Sequence, residues 1–120
     1  MPAKRRRLTR SGEFDRVYRD GSSHATRYLV LYSFPRGPDE QREARLGVSV
    51  SRKVGGAVER NRVKRALREG FWALGERLPE GHDFVLVARP DIAAMIDRDG
   101  ASGARTSIEE ALGLAEGRST

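Results

Sequence analysis

Two strand-patterned segments, RLGVSVS (residues 45–51) and HDFVLVARP (residues 82–90), are separated by a single long helix-patterned run. That order constrains the fold more than any other feature. A helix between two strands carries the chain back across the sheet, so the strands can lie side by side and parallel. The helix reads over residues 57–78, with Pro79 and Gly81 to end it. At about 100° per residue, Val63, Leu67, Phe71, Leu74 and Leu78 fall within an arc of roughly 80°. This apolar stripe predicts the face that docks on the sheet.

The opposite face is unusual. Residues 59–69 read ERNRVKRALRE, in which five of eleven side chains are Arg or Lys. Docking the stripe turns Asn61, Arg62, Lys64, Arg65 and Arg68 outward. Arg60 lies near the buried edge, in the first turn, where its long stem reaches past the end of the sheet. Glu59 and Glu69 bracket the run without neutralising it, since only i±3 and i±4 pairs meet on a helix. Charge runs are commonly no more than solvated surface. Repeated like-charge neighbours, each costing a few tenths of a kcal/mol, instead favour an anionic partner. Arginine over lysine suits bidentate phosphate contact. The charge is also uneven along the chain: residues 1–70 hold 18 basic and 8 acidic side chains, residues 71–120 hold 5 and 9. A net charge of +6 so distributed implies an oriented field.

The remaining segments predict one domain of residues 11–120 behind a flexible basic arm of residues 1–10. A first helix reads over residues 11–20, with Phe14, Val17 and Tyr18 on one face. Residues 22–34 read as extended. Period two places Tyr28, Val30, Tyr32 and Phe34 on one face and Leu29 and Leu31 on the other. Both faces are apolar, which implies cover on both sides. In the next strand Leu46, Val48 and Val50 share a face, while Gly47, Ser49 and Ser51 leave room on the other for something to approach closely. After the third strand, Ile92, Met95 and Ile96 suggest a short helical turn and DRDGASG a loop. Ser107 with Glu110 reads as a capping box for a last helix. The expected fold is α+β: a two-layer α/β sandwich in the order helix–strands–helix–strand–helix.

Several function classes are disfavoured. With no cysteine, neither a disulfide framework nor a Cys-ligated zinc site is possible. No apolar run approaches the ~20 residues of a membrane span, so no membrane partner is expected. The basic N-terminus lacks the apolar segment of a secretory signal, which suggests the cytoplasm. His24 and His82 stand alone and read as surface or strand-end residues. VGGA lacks the Gly-Lys-Ser/Thr of a phosphate loop. No catalytic side-chain constellation, no metal site and no pocket for a small-molecule substrate is predicted. Cations beside aromatics are instead the recipe for binding single-stranded nucleic acid. Tyr18 and Tyr32, with hydroxyls that want a polar neighbour, favour a groove edge over deep core. Trp72, on the polar side of the long helix, reads as packed under a loop.

The block RNRVKRALRE resembles the signature helix of the bacterial ribonuclease P protein family. SGEFDRVYRDG resembles that family's first helix, LVLYS its aromatic strand, and RLGVSVSRKVGGAVERNRVKR its most specific block; FVLVARP resembles the strand after the long helix. The resemblance spans roughly residues 7–90. It implies a left-handed βαβ crossover, a fold also seen in a domain of a small-subunit ribosomal protein and in translocating GTPases. It implies the protein subunit of a ribonucleoprotein that removes the 5′ leader from precursor tRNA. By the same resemblance the RNA subunit would do the chemistry with magnesium, and the protein alone would bind no cofactor. Arg60, Asn61, Arg62, Lys64, Arg65 and Arg68 would meet the catalytic RNA. Phe14, Tyr18, Tyr32 and Ser49, with Arg52, Lys53 and Arg89 beside them, would hold the single-stranded leader in a groove between the first helix and the sheet. The loop PRGPDEQREA and the acidic last helix (Glu109, Glu110, Glu116) depart from the basic C-termini of that family, so no RNA contact is assigned there. The alternatives are a structural ribosome-associated RNA-binding protein of the same fold, or a protein-only ribonuclease.

Overall fold

In the computed structural model, which describes residues 6–8, 11–36 and 43–114, eight elements follow in order. They are β1 (Arg6–Arg7), α1 (Ser11–Asp20), β2 (Ser22–Ala25), β3 (Leu29–Pro35), β4 (Arg45–Ser49), α2 (Ala57–Trp72), β5 (His82–Ala88) and α3 (Ile92–Leu112). The strands make one sheet in the order β1-β4-β5-β3-β2. β4 and β5 are parallel neighbours joined through α2, as the strand–helix–strand order predicts. β3 runs antiparallel to β5, and β2 to β3. β1 pairs in parallel with β4, Arg6 opposite Arg45 and Arg7 opposite Leu46. Leu8 is buried and its amide donates to the Leu46 carbonyl at 3.0 Å. The expected free arm therefore does not extend to residues 6–8; the rest of residues 1–10 lies outside the described residues.

Alternation sorts the sheet's side chains onto two faces, and different helices cover them. Leu29, Leu31, Leu46, Phe84 and Leu86 form the larger core with Val63, Leu67 and Phe71 of α2 and Ile92, Ile96 and Ile108 of α3. Leu67 and Phe71 are fully buried, each worth ~1.5–3 kcal/mol against exposure. The other face carries Val85, with Tyr32, Phe34 and Val87 packed beside it. It is covered by Val17 and Phe14 of α1, with Leu8 at its edge. The sandwich of sheet and α2–α3 thus has a short third layer, α1, across part of its second face.

Three local expectations are corrected. α2 stops at Trp72, not at residue 78, and a 3-10 turn, Gly75–Arg77, follows. Gly75 has φ +53, a left-handed conformation that the α-helix cannot contain. Leu74 and Leu78 remain buried through that turn. The expected DRDGASG loop shrinks to a single break: the chain is helical on both sides of Gly100, whose non-helical backbone (φ 62, ψ −150) divides α3 into two stretches. Ser107 consequently caps nothing. It is buried inside α3, its hydroxyl 2.7 Å from that of Thr26, at the corner between β2 and β3. Packing against α2, through residues such as Met95 and Ala104, overrides the weak helix propensity of the Gly/Ser/Asp run.

Candidate nucleic-acid interface

The outward face of α2 follows from its buried one. Val63, Leu67 and Phe71 have no exposed surface, so their seating fixes the helix rotation. Asn61 and Arg65 are exposed; Arg60, Arg62, Lys64 and Arg68 are half-buried. Asn61, Lys64, Arg65, Arg68, Glu69 and Trp72 line a shallow cleft of about 350 Å³. Among the described residues, no carboxylate pairs with Lys64, Arg65 or Arg68. Burial, and then the proximity of Arg7, lower the pKa of Arg68 from its usual value. Two guanidinium groups brought together without an intervening carboxylate leave electrostatic strain that an anion relieves. Arg7 was missed by sequence reasoning. Its signal was present, in a basic segment followed by the apolar Leu8, but its strand partner lies in β4.

Arg62 departs from the expected picture. Its guanidinium donates to Glu59 on its own helix and to Asp97 of α3. It is already engaged by two carboxylates and bridges α2 to α3. Trp72 is half-buried against the larger core, its ring edge-on to Phe71 at 4.8 Å, and also lines the α2 cleft.

The second candidate surface lies on the α1 side of the sheet. Across the strands its rungs are Phe34–Asp83–Arg45, Tyr32–Val85–Gly47 and Val30–Val87–Ser49. α1 covers the first two. The room above Gly47 is taken by Phe14, since a Cβ there would stand 2.4 and 2.6 Å from ring carbons of Phe14. Tyr18, one turn on, meets Tyr32 edge to face at 5.0 Å and shares a hydrogen bond with the Ser49 hydroxyl. Burial raises the Tyr18 pKa more than the Ser49 bond lowers it, so the phenol keeps its proton. The third rung, Val30–Val87–Ser49, stays half-buried beside the partly exposed Tyr18. Exposed Arg52 and Lys53 follow β4, and exposed Arg89 follows β5, at the carboxyl ends of two parallel strands. The Arg89 guanidinium donates to the Thr26 carbonyl at 3.2 Å. The fold therefore brings Phe14, Tyr18, Tyr32 and Ser49 into one contiguous set, open toward Arg52, Lys53 and Arg89. Of these, Phe14 is packed into the Gly47 notch and Tyr18 stays partly exposed.

At the far end of the same face lies an ionic cluster that sequence reasoning did not find. Asp83 is fully buried. Arg45 grips both its oxygens at 2.7 Å, Arg36 donates at 2.5 Å and Arg16 at 3.2 Å. Glu13 of α1 accepts from Arg45 at 2.7 Å. Burial alone would raise the Asp83 pKa, but the hydrogen bonds from Arg45 and Arg36 outweigh it and hold the carboxyl below its usual value. The available signal was an acidic residue heading an otherwise apolar strand, which demands cationic partners.

The family model of ribonuclease P matches residues 1–111. The chain belongs to the ribonuclease P protein family. It is 40% identical over 92 residues to the ribonuclease P protein component of Bacillus cereus (strain ATCC 10987 / NRS 248), covering 77% of this chain and 78% of that one. The Bacillus anthracis protein of the same description matches at 40% over 92 residues, 77% of this chain and 76% of that one. The solved ribonuclease P protein of Staphylococcus aureus superposes with a TM-score of 0.77 at 33% identity, over 94% of this chain and 97% of the other. That of Thermotoga maritima gives 0.72 at 28% identity, over 95% and 98%. This family member has, among the described residues, no group of three or more His, Asp or Glu side chains placed to hold a metal ion. None of its described helices is long and apolar enough to cross a membrane.

Proposed function

We propose that this ribonuclease P protein works in the cytoplasm as the RNA-binding subunit of a ribonucleoprotein that removes the 5′ leader from precursor tRNA. In this reading the α2 face docks on the catalytic RNA, and the groove between α1 and the sheet receives the single-stranded leader. The reaction, and the magnesium it uses, belong to the RNA subunit. The protein contributes grip and alignment. The observation that carries the reading is the α2 cleft: Lys64, Arg65 and Arg68 converge there without a carboxylate partner among the described residues. Phosphate oxygens complete such a cluster, and guanidinium groups bind them two bonds at a time.

Reconstitution of 5′ processing with a catalytic RNA, with and without the chain, tests the reading. The chain is expected to lower the KM for leader-bearing substrate and to leave mature tRNA binding nearly unchanged. Equal effects on both substrates would contradict the leader groove. Absence of any catalytic-RNA binding, with ribosomal RNA bound in its place, would contradict the whole assignment.

A further inference from the structure

The ionic cluster around Asp83 stands two rungs from the open floor of the groove, about 13 Å along the strands. Yet two of its legs, Arg16 and Glu13, belong to α1, the helix that carries Tyr18. The apolar seat of α1 is small. Among the described side chains of α1, Val17 alone is fully buried, and Phe14 is half-buried in the Gly47 notch. A ten-residue helix with so little apolar purchase can rock or slide on the sheet unless something fixes its register. Arg16 supplies that restraint. Its guanidinium reaches Asp83 at 3.2 Å and lies 4.9 Å above the Phe34 ring, while Glu13 reaches Arg45 at 2.7 Å. Buried ionic contacts add little to stability compared with apolar packing, and their better-attested use is to specify one arrangement among several. The buried Arg16 Nε, which has no acceptor, fits a residue kept for placement rather than for its own hydrogen-bond energy.

We infer that Arg16 and Glu13 are positioning residues for leader recognition. Through Asp83 and Arg45 they lock α1 to the sheet and so set where Tyr18 stands over the Val30–Val87–Ser49 floor. The inference rests on the groove reading above. The cluster lies on the α1 face of the sheet and the α2 cations on the other side of it, so no loss of catalytic-RNA docking is predicted.

The test uses the reconstituted ribonucleoprotein with Arg16→Met, which keeps the stem and removes the charge, and Glu13→Gln, which weakens the outer leg to Arg45. Tyr18→Ala serves as the control for the groove itself. Affinity is measured for precursor tRNA with a long leader, for mature tRNA, and for the catalytic RNA. Arg16→Met should lower the leader-dependent gain in affinity on the order of tenfold, the scale of one lost base–aromatic stack, with Glu13→Gln acting in the same direction more weakly. Mature tRNA and catalytic-RNA affinities should hold. The double variant with Tyr18→Ala should be no worse than Tyr18→Ala alone, because Arg16 acts through that ring. An unchanged leader gain in both Arg16→Met and Glu13→Gln, beside a loss in Tyr18→Ala, would overturn the positioning role while leaving the groove intact. Additive losses in the double variant would also overturn it, since Arg16 would then touch RNA directly. A silent Tyr18→Ala would overturn the groove reading, and this inference with it. Should Arg16→Met fail to fold, Glu13→Gln alone decides by the same comparison.

Discussion

Replacing Gly47 by Ala tests the packing that builds the groove. The new methyl carbon would lie 2.4 and 2.6 Å from two ring carbons of Phe14 and 3.3 Å from Cβ of Leu8. Carbon atoms settle at about 3.5–4.0 Å, so the ring must retreat by roughly 1 Å. It cannot move into the sheet, and Leu8 closes one side, so the retreat lifts α1. Overpacking of this kind costs ~1–3 kcal/mol. The Phe14 ring is half-buried and can tilt, which favours the lower half of that range. With a Tm shift of about 4 °C per kcal/mol for a domain of this size, Gly47→Ala should melt roughly 4–8 °C lower. The sharper assay is a double-mutant cycle in urea. Phe14→Leu removes the clashing atoms at a cost of ~1 kcal/mol in lost contact. Combined with Gly47→Ala, it should recover about 1 kcal/mol relative to the sum of the single changes. Additivity within about 0.5 kcal/mol would refute the claim that Phe14 occupies the Gly47 notch.

Two further predictions concern charge. The Asp83 carboxyl is held below its usual value of 3.8 in the folded state, so the unfolded state binds its proton first. Its contribution to stability is present above about pH 4 and is lost as pH falls through the lower folded value. Asp83→Asn should flatten the stability–pH curve in that acid window, as followed by circular dichroism; an acid limb unchanged from the parent would contradict the cluster. Arg62 is held by Glu59 and Asp97, so Asp97→Asn should leave it only the Glu59 partner and tighten catalytic-RNA binding at low salt by about two- to five-fold, the scale of one exposed ion pair. Weaker binding would show that the bridge to α3, and not the free cation, is what the RNA needs.

Short-range pattern carried much of this fold, and long-range pairing carried the rest. α1 was legible because its apolar residues recur at helical spacing before a glycine. The parallel β4–α2–β5 unit was legible because one amphipathic run separates two strand runs. Alternation placed Leu29 and Leu31 opposite Tyr32 and Phe34, as found in the two cores, but Tyr28, expected with Tyr32 and Phe34, packs against the larger core instead. The small face of β4 was also legible as a place of close approach, although Phe14 and Tyr18 of the chain itself fill most of it. What failed depended on partners far along the chain. The helical course on either side of Gly100 is set by packing on α2, against local propensity. The engagement of Arg62 depends on Asp97, 35 residues away. Arg36 looked like a loop cation, yet its guanidinium is almost wholly buried on Asp83, 47 residues on. The cationic face of α2 was visible from spacing, but which of its charges are spoken for was not.

The central claim is that the α2 cleft is a phosphate-binding surface, and the salt dependence of catalytic-RNA affinity tests it most directly. Each lost phosphate contact should reduce the log–log salt slope by about 0.7 to 0.9. Changing Lys64, Arg65 and Arg68 together to Ala should therefore make the slope shallower by about two and weaken binding at moderate salt, with the fold retained. A folded triple variant that binds with the parent's affinity and the parent's slope would contradict the account.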